Sequence, residues 1–179
     1  MNFCTQCGHP VTVQVPDGDN RPRYVCGHCG QIHYENPRLV VGCVVAHRDA
    51  ILLCRRAIEP RHGFWTVPAG FMELGETLAD AALRETWEEA EARVELGSLF
   101  VLVDVVHARQ VHVFFRGTLA EPVFGAGHET IETRLFSPAE IPWRDIAFPS
   151  VTIALERYLA SPRDDSPVHL AAAPRFRLI

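Results

Sequence analysis

Two Cys-x-x-Cys pairs constrain the amino-terminal part of this chain more than any other feature. Cys4 and Cys7 close CTQC, Cys26 and Cys29 close CGHC, and 18 residues, Gly8 to Val25, lie between the pairs. Those residues hold an alternating VTVQV and a turn-rich PDGDNRP, which is the spacing of a ribbon. Four thiolates close a tetrahedral zinc site, and the glycine after each pair, Gly8 and Gly30, relieves crowding where amides turn toward sulfur. Two redox dithiols are the competing reading. A closed site with cysteine at every position leaves none for water or substrate, so the zinc is expected to be structural and the chemistry to lie elsewhere. His9, His28 and His33 could substitute as ligands but read as surface histidines. Cys43 and Cys54, inside VVGCVVA and ILLCRRA, read as small buried core residues.

The amino terminus MNFCTQCGHP lacks a charged start followed by an apolar run, and no apolar stretch is long enough to span a bilayer. A cytoplasmic protein without a membrane partner is expected. With 179 residues, 47% of them hydrophobic, the chain suits one main domain and a small appendage. A formal net charge of −5 and the lack of a basic stripe argue against nucleic acid as partner.

The stretch GFMELGETLADAALRETWEEAEARV, Gly70 to Val94, carries six acidic side chains between Glu73 and Glu89. Thr77 followed by Asp80 looks like an amino-terminal cap, and Leu78 to about Glu91 holds helix formers throughout. Leu83, Trp87, Ala90 and Val94 recur at helical spacing and are expected to bury one face against a sheet. On a second face Glu85, Glu88 and Glu89 meet, a set that repels itself unless cations are supplied; oxygen-only ligands suit magnesium or manganese. Arg84, one turn before Glu88 and with Glu76 on the loop behind it, could fork between carboxylates and fix the loop to the helix. A solvated acidic face with stray ion pairs is the bland alternative.

Elsewhere LVVGCVVA and ILLCRRA form a hairpin candidate, FWTVP a short strand, and LFVLVDVV with VHVFFRGTLA a second long hairpin. TRLF is a further short strand, and VTIALERYLA, Val151 to Ala160, has the stripe of an amphipathic helix that Ser161-Pro162 ends. The tail from 161 to 179 is either loosely ordered or packed on a partner.

The order Gly70, Glu76, Arg84-Glu85-Thr86-Trp87-Glu88-Glu89 resembles the Nudix box, the signature of hydrolases that cut nucleoside diphosphates linked to another group. FWTVPAGF resembles the strand that enters it. Two positions depart from the pattern: Glu91 stands where the family has glycine, and Thr86 where it has an aliphatic residue. The resemblance implies a Nudix α/β/α sandwich with a mixed sheet over residues 36–160, behind a zinc ribbon over 1–35. It implies Glu85, Glu88, Glu89 and the Ala69 carbonyl as ligands of catalytic Mg2+ or Mn2+, with Gly70 and Glu76 supporting the loop and Arg84 orienting it. Such enzymes often recruit another glutamate from a distant loop, and GHETIETRLF offers Glu129 and Glu132, of which Glu132, just before the strand, is preferred. Glu88, Glu89 or one of these two would take a proton from water.

A ribbon ahead of such a domain resembles the zinc-bearing group that includes NADH pyrophosphatases. Those carry a Ser-Gln-Pro-Trp-Pro-Phe-Pro motif after the box, absent here, where only IPWRDIAFPS occurs at Ile141 to Ser150. That moves ADP-ribose and FAD ahead of NADH or NAD, with AMP as a product. Tyr34, Phe71 and Trp143 could stack on a base. A nucleotide-sensing binding protein and a sanitiser of oxidised nucleoside triphosphates are the other readings. Family members commonly pair, so a homodimer is expected.

Overall fold

In a computed structural model the chain divides into two compact units, Met1–Asn36 and Pro37–Ile179. The described residues are 1–161 and 167–175. Pro162 and the charged start of the tail lie outside them.

The first unit is a three-stranded antiparallel sheet of β1 (Val11–Gln14), β2 (Arg23–Cys26) and β3 (Ile32–His33), in that order. Each cysteine pair ends in a tight turn. Gly8 at φ 72° donates its N–H to the Cys4 carbonyl at 2.9 Å, and Gly30 at φ 73° donates to Cys26 at 2.9 Å. That left-handed backbone is cheap only for glycine.

The second unit is a mixed sheet between two helices. Its strands are β4 (Arg38–His47), β5 (Ala50–Arg56), β6 (Trp65–Thr66), β7 (Ala69–Phe71), β8 (Val94–Val105), β9 (Gln110–Leu119), β10 (Thr130–Phe136) and β11 (His169–Ala172). They run in the order β10-β5-β4-β9-β8-β11, with β6 on β5 and β7 on β4. The β4–β5 and β8–β9 hairpins form as the apolar runs suggest. The β4–β9 pair is parallel from Arg38↔Gln110 to Ala46↔Thr118 and forms the middle of the sheet. Cys43 and Cys54 are fully buried in it, as expected of small core residues.

Helix α2 (Pro149–Ala160) packs Val151, Ala154 and Leu155 on Phe100, Val103 and Phe114. Helix α1 (Leu78–Ala90) covers the opposite face, with Ala81 and Ala82 on Val41 and Val113. Its start is the anticipated capping box: the Asp80 N–H donates to Thr77 Oγ1 at 3.1 Å, and the Thr77 N–H to Asp80 Oδ2 at 3.0 Å.

The buried face of α1 keeps only Ala90 of the expected set. Leu83 and Trp87 are 39% and 48% exposed, Val94 belongs to β8, and the face turned inward is Ala81, Ala82, Glu85, Thr86, Glu89 and Ala90. Small side chains let the helix lie close to the sheet, so large apolar residues at helical spacing fall on the outer flank. Trp87 there carries the Arg93 guanidinium at 5.2 Å. Thr86, at the aliphatic position, is completely buried and gives its hydroxyl proton to the Ala82 carbonyl at 2.7 Å.

Glu91 is the carboxyl cap at φ 47° and ψ 28°, its N–H on the Trp87 carbonyl at 2.8 Å. A glutamate there bears the left-handed cost that glycine avoids. Glu91→Gly is therefore expected to raise the melting midpoint by roughly 2–4 °C, measured by calorimetry.

The tail supplies β11, parallel to β8 from His169↔Val101 to Ala172↔Asp104. No helix among the described residues is long and apolar enough to cross a membrane.

Candidate active site

The box loop, α1 and the ends of β4, β5 and β9 enclose a cavity of about 880 Å³ within the second unit. Its wall includes Ala69, Gly70, Glu85, Glu88, Glu89 and Glu129. Gly70 leaves room for the Glu85 carboxylate, which a Cβ there would overlap. The Ala69 N–H donates to Glu89 Oε2 at 3.0 Å, which ties β7 to the helix.

Arg84 is the hub. Its Nε and Nη2 donate to the two oxygens of Glu76 at 2.9 and 2.8 Å, Nη2 also to the Phe71 carbonyl at 3.0 Å, and Nη1 to Glu85 at 2.7 Å and Glu88 at 2.9 Å. The Arg84 fork, helped by the Glu73 N–H, holds the Glu76 carboxyl down at about 2. Burial pushes Glu85 up, and pushes Glu89 up to about 8; for Glu89 the Ala69 N–H opposes the shift, while the charges of Glu85 and Glu129 add to it.

The three helix glutamates line one wall but do not converge as their spacing suggests. Among the described residues, the groups of ligand atoms within 4.8 Å of one another are the four ribbon cysteines and Cys7, His9 and His28. Glu85 and Glu88 instead share Arg84 Nη1, and Glu89 turns to the Ala69 N–H.

Of the two downstream glutamates, the structure places Glu129 in the cavity wall and Glu132 outside it, a reversal of the preference drawn from the sequence. The register shifts between Thr130 and Glu132, and Glu132 points to Arg55 at 3.9 Å. Glu129 is held by a loop sewn to the helix end: Gly125 and Gly127 donate to the Ala90 and Glu89 carbonyls at 2.8 and 3.1 Å. A Cβ on Gly127 would overlap the Glu88 carbonyl, so only glycine lets the loop approach. On its other side the Ala57 N–H donates to the Glu129 carbonyl at 2.8 Å.

Several wall residues had no reading from the sequence. Arg56, at the end of β5, lies over the Phe148 ring at 5.1 Å and donates to the Pro60 carbonyl at 2.9 Å. His112 is buried between Ser150 and Gln110, at 2.9 Å from each, and burial holds its pKa down at about 4. Only the doubled arginine of CRRA and the alternation QVHVF, which puts Gln110, His112 and Phe114 on one face, hinted at them. Of the stacking candidates in this unit, Phe71 is in the wall and Trp143 is not.

In the first unit the cysteine sulfurs lie 3.7 Å apart for Cys4–Cys29, 3.5 Å for Cys7–Cys26 and 3.4 Å for Cys7–Cys29. A tetrahedral site with Zn–S of about 2.3 Å needs sulfurs about 3.8 Å apart, so the set fits zinc with slight expansion. The backbone N–H groups of Cys29 and His28 aim at the Cys26 sulfur and hold its thiol down at about 6, which favours the thiolate a metal needs. His9 and His28 stack face to face at 3.7 Å on the surface, whereas His33 is buried, contrary to its reading as a surface residue.

Comparison with protein-family models matches residues 2–35 to the Nudix N-terminal zinc ribbon and residues 36–155 to the NUDIX domain. The crystal structure of a NUDIX hydrolase from Nitrosomonas europaea is 47% identical, with a TM-score of 0.90, over 96% of this chain and 98% of that one. An ADP-ribose pyrophosphatase from Streptococcus suis, 22% identical with a TM-score of 0.63 over 76% of this chain and 99% of that one, shares the fold. Among curated proteins, the NAD-capped RNA hydrolase NudC of Edwardsiella ictaluri is 40% identical over 94 residues, 52% of this chain and 34% of that protein. The matched part is thus about a third of the length of such relatives.

Proposed function

Because the chain belongs to the NUDIX family, hydrolases that act on pyrophosphate bonds, we propose that it cuts the diphosphate of an adenine dinucleotide of the NAD type, releasing AMP. The observation that carries this reading is the cavity wall itself, where buried Glu85 and Glu89 stand with Glu88 and Glu129 around one space. The substrate class follows the NAD-capped RNA hydrolases among the relatives, which favour NADH or NAD over the ADP-ribose and FAD that the missing motif suggests. The short remnant of that motif supports the change: Phe148, Pro149 and Ser150 all line the cavity.

The donor set is all oxygen, and burial disfavours the charged form of two of its members, Glu85 and Glu89, a cost that a hard divalent cation would offset. Glu85, Glu88 and Glu89 with the Ala69 carbonyl would hold Mg2+ or Mn2+. Bound there, the metal would neutralise the diphosphate and make a water acidic enough to attack phosphorus. Glu129, in the cavity wall on its sewn loop, would accept that water's proton in preference to Glu132, which turns to Arg55. Arg84 orients Glu85 and Glu88 and binds the box loop through Glu76 and the Phe71 carbonyl. The ribbon cysteines Cys4, Cys7, Cys26 and Cys29 would hold structural Zn2+.

Release of AMP from NADH, ADP-ribose and FAD with magnesium or manganese tests the reading. The highest kcat/KM is expected for NADH, and no AMP from any of the three sinks it. Arg84→Lys keeps the charge but loses the fork, and is expected to lower kcat by about a hundred-fold with little change in KM.

A further inference from the structure

Three adjacent strands bring Phe71, Val40 and His112 into one row, since Val40 pairs with Phe71 on β7 and with His112 on β9. Neighbouring strands stand about 4.8 Å apart, so the row is a platform roughly 10 Å across, wide enough to carry a nucleobase or nicotinamide ring. All three residues line the cavity that holds the glutamates.

Beside the platform runs a one-way chain of hydrogen bonds. The Gln110 Oε1 can only accept, so at 2.9 Å it takes the proton of His112 Nε2. That leaves His112 Nδ1 bare, and the Ser150 hydroxyl donates to it at 2.9 Å. Burial of the ring keeps it neutral, consistent with this tautomer. The chain ends in Gln110, a cavity-lining residue whose amide nitrogen is the end that His112 does not engage.

We infer that Gln110, oriented by His112 and Ser150, is the specificity-determining donor that recognises a planar heterocycle through a ring nitrogen or carboxamide oxygen. The inference rests on the proposed dinucleotide chemistry of the same cavity. Adenine and nicotinamide both offer such acceptors. A donor at this place selects a ring with an acceptor on its edge against an apolar ring of the same size, because the unmatched amide would be left dry.

Gln110→Glu separates recognition from scaffolding. It keeps an acceptor for His112 but removes the N–H donors; Gln110→Leu removes both and adds no charge. Binding of NADH and ADP-ribose is to be measured by calorimetry without added divalent metal, so that it is read apart from turnover. An increase in Kd of roughly tenfold or more is expected for NADH in both variants, with the melting midpoint of Gln110→Glu preserved. Matching loss for ADP-ribose assigns the adenine to Gln110, and loss for NADH alone assigns the carboxamide. Unchanged Kd for NADH in either variant, or a wild type that binds neither ligand, overturns the inference. A wild type that binds both but releases no AMP once magnesium or manganese is added sinks the hydrolase reading alone.

Discussion

Replacing Glu89 with Gln is expected to lower kcat by about three orders of magnitude while the protein folds as before. Gln keeps a carbonyl oxygen for the Ala69 N–H, so the tie between β7 and α1 survives. What disappears is the negative charge that a divalent cation needs. The same substitution has a signature in stability. The Glu89 carboxyl titrates near 8 in the folded chain, well above an unfolded glutamate, so the native state holds the proton more tightly. Its contribution to stability is complete at pH below the unfolded value and fades as pH rises toward 8. Without added magnesium or manganese, the Gln variant is expected to melt above the wild type at pH 8 and to lose that advantage at pH 5. Full turnover by the variant would remove Glu89 from the site.

The second large effect concerns the ribbon. Cys26→Ser is expected to reduce bound zinc from about one per chain to a trace, and to leave Met1–Asn36 open to proteolysis. The first unit contains few buried apolar side chains beyond Cys4, Val25 and Cys26, so metal coordination supplies what a core cannot. The second unit has three apolar clusters of its own. Its melting midpoint is therefore expected to stay within a few degrees of the wild type. Zinc measured by atomic absorption, followed by limited proteolysis, reads both halves; a fully metallated Ser variant would assign the zinc to other ligands.

The start of α1 was legible because its signal is local: the Thr77–Asp80 box sets the first turn, and one helical period carries Glu85 and Glu89 to the same side. The hairpins were legible for the same reason, each being two apolar runs around a polar turn. Which side of α1 meets the sheet was not, because large apolar residues outweigh alanines in any reading by size, and the packing distance that favours alanine arises only when helix and sheet meet. Glu129 and Glu132 illustrate a second limit: a bulge between Thr130 and Glu132 decides which reaches the cavity, and no residue type announces a bulge. His112 and Ser150 stand 38 residues apart and meet only through the α2–β9 contact.

Strand β11 comes late in the chain, yet it covers the flank of β8 and brings Ala173 to the cavity wall. A nascent or truncated polypeptide ending before His169 would present an open ladder along Val101–Asp104, ready to recruit a strand from another molecule. Completion of the cavity wall and cover for the sheet edge therefore rest on the same short strand.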